Sequence, residues 1–410
     1  MQVRQVAVLG AGTMGARIAA HFANAGVRSL LMDLDAGRAR QGLEAARKAS
    51  PASFFTAGGA ALVETASFDE GMERLGGVDW VIEAVTENLE IKRGLWARVA
   101  ERAGPAAVLS TNTSGIPLAA IAEGFGAGFQ RRFLGTHFFN PPRYLHLLEL
   151  IPGPGTEARL MGEVEAFAEV RLGKGVVRCK DTPNFIANRI GSFFGATVAK
   201  LMVEQGLAVE EVDLLTGPLI GLPKSASLRL LDVVGVDVWA FVSNNLYDLV
   251  PDDPWRERFR MPAFMRELLE RGWIGEKAGQ GFYKRVGQKK EIHALDLATF
   301  DYAPAKRVKI AGVEEALLIE DLGERLRFLV NDKGKAGAFL KPLFEDVIEY
   351  AEAMAPVIAH APEDVDNAMK WGYGHAFGPF EIREALAGRA PAVAARGALV
   401  KRNPGASLED

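Results

Sequence analysis

His137 and Glu149 are of types that suit proton transfer, although a lone histidine is as readily structural and a lone glutamate solvated. Taking a hydride from an alcohol carbon requires a base for the hydroxyl proton, and a neutral imidazole serves near pH 7. His137 closes the strand-like run Phe133–His137, and the C-terminal end of a strand is where α/β sheets meet their ligands. Glu149 falls in the next such run, Leu147–Ile151. A carboxylate behind the ring would fix its tautomer and stabilise the imidazolium. Spacing alone does not join the two, and His146 competes for the role of base. Ser110-Thr111-Asn112-Thr113-Ser114 adds polar side chains at the end of a further strand-like run.

A second constellation lies at the start of the chain. Gly10-Ala11-Gly12-Thr13-Met14-Gly15 follows one apolar run directly and opens a helix-like segment. In such a turn Gly10 permits the bend, Gly12 lets backbone approach a pyrophosphate, and Gly15 allows close packing. The helix start, at Thr13 and Met14, then offers amide donors and a favourable dipole to the phosphates. Asp33 ends the next strand-like run, where a carboxylate can accept from the adenosine ribose hydroxyls. It would repel a 2′-phosphate, and no arginine stands in Leu34-Asp35-Ala36-Gly37, so NAD is expected over NADP.

These residues need a frame. Strands are expected at Val3–Leu9, Ser29–Asp33, Val78–Ala84, Ala107–Ser110, Phe133–His137 and Leu147–Ile151, with helices at Thr13–Ala25, Ala36–Ala49 and Ile91–Glu101. That alternation predicts a parallel, doubly wound α/β sheet of Rossmann type over residues 1–180. Helical patterns dominate afterwards, at Asn184–Gln205, Val209–Thr216 and Val238–Leu249, with Asp181 or Thr182 before Pro183 as the helix start. The expected plan is an all-α segment at 181–285, closed by the turn Gly279–Tyr283, a polar linker or ordered connection at 286–312, and a second helical segment at 313–400. Glu210-Glu211-Val212-Asp213 with Gly221 recurs 153 residues later as Glu363-Asp364-Val365-Asp366 with Gly374, which predicts a duplicated helical domain.

Composition removes other classes. Forty-eight basic against 52 acidic residues give a formal charge of −4, which offers no electrostatic case for nucleic acid or an anionic membrane. A single cysteine, Cys179, allows no internal disulfide and fits a reducing, cytoplasmic setting. No His/Cys cluster has metal-ligand spacing, so no metal is expected, and no apolar run is long enough to span a membrane.

Four motifs in order, Gly-Ala-Gly-Thr-Met-Gly, Thr111–Ser114, His137-Phe138-Phe139-Asn140-Pro141 and Lys180-Asp181-Thr182-Pro183-Asn184-Phe185-Ile186-Ala187-Asn188-Arg189, make residues 1–285 resemble the 3-hydroxyacyl-CoA dehydrogenases. The resemblance implies NAD-dependent oxidation of L-3-hydroxyacyl-CoA in fatty-acid β-oxidation. It implies His137 as general base with Glu149 as partner, and Ser114 and Asn188 as donors to the reacting oxygen and the thioester end. Glu87 and Lys92 would lie beside the nicotinamide ribose, Asn140 would help hold the nicotinamide end, and Lys277 would reach the cofactor from the helical domain. Lys48 is a candidate for the CoA phosphates, against the plainer reading of a solvated helix lysine.

The chain departs from the short family members at Gly221-Leu222-Pro223-Lys224, since the glycine–proline–phenylalanine turn appears only later, at Gly378-Pro379-Phe380. The second copy carries Lys341 where the first has Asn188, which marks it as structural. Residues 313–386 are therefore expected to cover the face that short members use to dimerise, leaving monomer and dimer both open. The arrangement also resembles longer bacterial dehydrogenases. A fused or associated enoyl-CoA hydratase, and a chain cut from a larger polypeptide at its polar tail Arg402–Asp410, follow as expectations. Two other functions compete: a dehydrogenase of small 3-hydroxy acids, and a catalytically silent NAD-binding subunit.

Overall fold

A computed structural model describes residues 1–390; the tail Arg402–Asp410 and the end of the expected 313–400 segment lie outside the described residues. Eight strands form the main sheet: β1 Gln5–Leu9, β2 Arg28–Asp33, β3 Val63–Ser67, β4 Trp80–Glu83, β5 Val108–Thr111, β6 Phe133–Phe138, β7 Leu147–Pro152 and β8 Gly175–Arg178. Their order is β3-β2-β1-β4-β5-β6-β7-β8. The first six are parallel, as the alternating pattern predicts. β7 pairs antiparallel with β6, and β8 runs parallel to β7.

Both faces of the central strands are covered, which is why they read as unbroken apolar runs. Along β1, Val6 and Val8 join a core with Phe22, Trp80 and Phe167, beneath the helices Thr13–Asn24 and Ala158–Leu172. Ala7 and Leu9 face the other way, into the core that contains Trp96, Phe129 and Phe133. Strand β3 and strand β8 escaped the sequence reading because each lies at or near an edge and shows water a charged residue, Glu64 and Arg178.

The helical region begins with Ala187–Gln205, later than its expected start. Asp181 caps a different helix: its carboxylate accepts from Leu118 N and Ala119 N at 2.8 and 2.9 Å, at the first turn of Leu118–Ala122. The expected linker is an ordered antiparallel sheet of β9 Tyr283–Val286, β10 Glu291–Leu295 and β11 Tyr302–Pro304. Only Ala294 and Leu295 of these strands are buried, so the segment's polarity conceals the sheet.

The sequence echo has a structural counterpart. Ala208 N donates to Glu211 and Ala361 N to Asp364 at the two helix starts. Gly221 and Gly374 both take the left-handed conformation, φ +79° and +72°. Asp213 accepts from Ser227 N and Leu228 N, as Asp366 does from Phe380 N, and Phe380 lies 153 residues after Ser227. The long helix Lys335–Ile358 packs along Ala187–Gln205, with Tyr350 stacked on Phe193 at 3.9 Å.

Burial, aided by the neighbouring Glu381 carboxylate, raises Asp366 from 3.8 to about 7. Between those values the native state holds a proton that the unfolded chain releases, so this group makes stability fall as pH rises from about 4 to about 7. Asp366→Asn, which keeps an oxygen for Phe380 N, is expected to melt above the wild type at pH 8 and to lose that advantage near pH 4. Parallel melting curves across pH would refute this.

Candidate active site

The glycine turn is tightly specified. Gly10 has φ +98°, and a Cβ there would lie 2.6 Å from the Ala84 carbonyl oxygen. A Cβ at Gly15 would come within 1.8 Å of the Gly10 carbonyl oxygen, so Gly15 lets the helix close onto its own turn. A Cβ on Gly12 would instead meet open space, and no side chain caps the helix Thr13–Asn24. The first-turn amides are thus left for an external acceptor, a fit to a pyrophosphate. Asp33 Oδ2 accepts from Ala11 N at 2.7 Å and fastens the turn to the end of β2. Gly42, which the sequence reading missed, brings the helix Ala36–Lys48 against the same turn, because a Cβ there would stand 2.1 Å from Ala11 O.

Beside this turn lies a buried polar network. Lys92 is 1% exposed and donates to Glu83 at 2.8 Å, with Glu87 at 3.2 Å. Its ammonium is enclosed by these two carboxylates, one of which, Glu87, is expected beside the same ribose. Glu83 also accepts from the Thr111 hydroxyl at 2.7 Å. Glu87 Oε1 accepts from the Thr113 hydroxyl and from Ser114 N and Gly115 N, so it sets the loop that carries Ser114. Burial pushes the Glu87 carboxyl up, but Lys92, Thr113 and Gly115 outweigh it and hold the group below its usual range. Glu83 was missed, its only sequence signal being its position at the end of β4, and Thr113 was read only as one member of a polar motif, not as a partner of Glu87.

The antiparallel register of β6 and β7 sets His137 opposite Glu149. His137 Nδ1 stands 2.6 Å from Glu149 Oε2, so that nitrogen carries the hydrogen. Glu149 is fully buried, and its other oxygen accepts from Ile186 N and Ala187 N at 3.1 and 2.8 Å. Two strands and the start of Ala187–Gln205 therefore aim the ring together and leave Nε2 as its free end. Phe139 and Phe185 flank it, with ring centres at 4.6 and 5.7 Å. His146 does not compete: its Nδ1 is bonded to Gly173 O, and burial lowers its pKa.

The remaining residues divide. Asn188 lies in the first turn of Ala187–Gln205, directly after the amides that hold Glu149. Asn140 accepts from Arg17, on the helix that leaves the glycine turn, at 2.7 Å. Lys277 is ion-paired with Asp237 at 2.6 Å within the helical region. Lys48 is exposed in the last turn of its helix. Among the described residues no cluster of His, Cys, Asp or Glu is arranged to hold a metal.

Residues 5–182 match the NAD binding domain of 3-hydroxyacyl-CoA dehydrogenase, and residues 185–285 match its C-terminal domain. A probable 3-hydroxyacyl-CoA dehydrogenase of Deinococcus radiodurans is 42% identical over 71% of this chain and 85% of its own length. The chain belongs to the 3-hydroxyacyl-CoA dehydrogenase family. A Bacillus subtilis protein with the same designation is 41% identical across 94% of the chain, which spans only 51% of that relative's length. The crystal structure of an Escherichia coli 3-hydroxybutyryl-CoA dehydrogenase shares the fold, with TM-score 0.71 and 24% identity over 93% of this chain and 92% of that one. The family's C-terminal model ends at residue 285, so the segment after it, with its repeated caps and turns, is an addition to the matched part.

Proposed function

We propose that this chain is an NAD-dependent dehydrogenase of 3-hydroxyacyl-CoA thioesters, acting in fatty-acid β-oxidation, and that the His137–Glu149 pair is its proton relay. The observation that carries this reading is the 2.6 Å contact between His137 Nδ1 and a carboxylate whose other oxygen is held by two backbone amides. A ring so fixed keeps Nε2 basic and cannot turn away. The uncapped helix start and Asp33 would hold the dinucleotide. Bound there, its nicotinamide would supply the hydride acceptor for C3.

The chain's own residues do the rest. His137 Nε2 takes the proton of the 3-hydroxyl, and Glu149 stabilises the imidazolium that results. The Ser114 hydroxyl, placed by Glu87, and the Asn188 amide donate to the reacting and thioester oxygens. Asn140 steadies the nicotinamide end through its link to Arg17, with Lys277 and Lys48 as outer contacts to cofactor and CoA. A fused or associated enoyl-CoA hydratase is the natural neighbour. Support comes from 30% identity to a putative trifunctional fatty acid oxidation enzyme of Rickettsia felis, of which this chain spans 53%. Among the described residues no helix is long and apolar enough to cross a membrane, and a cytoplasmic setting fits the lone, buried cysteine. The second helical segment, read as a duplicate of the first, packs on Ala187–Gln205 through the Tyr350–Phe193 stack and would keep that helix from a second copy.

The test is NADH oxidation with acetoacetyl-CoA, against free acetoacetate and against NADPH. Turnover of the thioester with NADH alone is expected. Equal use of the free acid would indicate a small-acid enzyme, and turnover of neither would indicate a silent subunit.

A further inference from the structure

We infer that the second helical segment completes the active site, with Tyr373 as a positioning residue for Asn188. This rests on the function proposed above. Tyr373 is the last residue of the helix Pro362–Tyr373, 185 residues beyond Asn188, yet its hydroxyl lies 3.3 Å from Asn188 Oδ1.

The seat for this tyrosine is built into the first helix. Gly191 follows Asn188 by one turn, and a Cβ on it would come within 2.5 Å of the Tyr373 Cζ and 2.6 Å of the hydroxyl oxygen. Any larger residue at 191 would push the ring off Asn188. The adjoining residue is equally confined. A Cβ on Gly372 would meet Leu147 at 2.8 Å, with Phe139 and Ala187 at 3.6 and 3.7 Å. The helix end is therefore wedged between the start of β7, the ring that follows His137 by two residues, and the first residue of the helix that bears Asn188. Phe139 completes the link, its ring 4.6 Å from His137 and 6.4 Å from Tyr373.

The chemical consequence concerns which end of the amide faces the substrate. An asparagine amide offers an acceptor on one side and donors on the other. With the Tyr373 hydroxyl donating to Oδ1, Nδ2 remains to donate to a substrate oxygen. Without the hydroxyl the amide can rotate and present its own oxygen to another, which repels. Tyr373 thus acts on the reaction only through Asn188, although it belongs to a segment whose own counterpart of Asn188 is Lys341.

The experiment is a double-mutant cycle in the full chain: wild type, Tyr373→Phe, Asn188→Ala and both together, each assayed with NADH and acetoacetyl-CoA and each melted. Tyr373→Phe is expected to lower kcat about 3- to 10-fold, the range of one net hydrogen bond, with KM for NADH unchanged. In the Asn188→Ala background it should change nothing further. Equal losses in both backgrounds, or a loss matched by a lower melting point alone, would reduce Tyr373 to a packing residue and overturn the inference. A slow Asn188→Ala beside an unimpaired Tyr373→Phe would overturn it while sparing the proposed function. A fully active Asn188→Ala would overturn both this inference and the role given to Asn188.

Discussion

Replacing His137 with alanine should lower kcat for acetoacetyl-CoA reduction by about 10²–10⁴-fold, the usual contribution of a positioned acid or base, and leave NADH binding intact. The two effects separate because the structure keeps their causes apart. The dinucleotide turn lies between β1 and the helix Thr13–Asn24, held by Asp33 and the close packing of Gly15. His137 lies near the end of β6, fixed by its register with Glu149. Glu149→Gln should fall between wild type and His137→Ala. An amide can still accept from Ile186 N and Ala187 N, but it gives the imidazolium no charge partner. NADH fluorescence titration beside steady-state rates is the check. A His137→Ala rate within tenfold of wild type would remove the relay from the mechanism.

What the sequence shows of this site follows the physics of local against distant contacts. The glycine turn and Asp33 were legible because two strands with one turn and one helix between them, consecutive in the chain, contain the whole device. The His137–Glu149 pair was legible only as two suitable residue types. Which residues of two strands face one another depends on pairing across the sheet, and twelve positions of spacing say nothing about it. Asp181 shows the same limit in reverse. It stands before a proline as a local cap should, but the amides it serves belong to a helix more than sixty residues earlier. Lys92 stands in a helix-like run, and nothing in that run shows that Glu83 and Glu87 close over its ammonium. The sheet at 283–304 was hidden because two buried residues in a polar stretch leave no alternation to read.

Arg189→Met should cost the fold about 3–5 kcal/mol, the loss expected when one partner of a buried ion pair is removed. Arg189 is 4% exposed. Its guanidinium donates to Asp253 Oδ2 at 2.7 Å and to the Tyr350 hydroxyl at 3.0 Å, and that hydroxyl donates to the same carboxylate oxygen at 2.8 Å. Without Arg189 the Asp253 charge keeps only Tyr350 and the Trp255 amide, inside a core of Phe193 and Tyr350 rings. The desolvation of that carboxylate then goes uncompensated. Replacing Asp253 as well, by leucine, should recover much of the loss, since an apolar pair of similar volume is often no less stable than a buried ion pair. Denaturant unfolding of the single and double variants decides it, and an Arg189→Met midpoint near wild type would show that the charge is relieved some other way. The consequence reaches the chemistry because Arg189 and Asn188 are neighbours in one helical turn. One side chain is held by Tyr350 and the other by Tyr373, both from the second helical segment. A variant that loosens the first anchor should therefore slow turnover more than it weakens NADH binding, since the turn it releases carries Asn188 and the amide that holds Glu149.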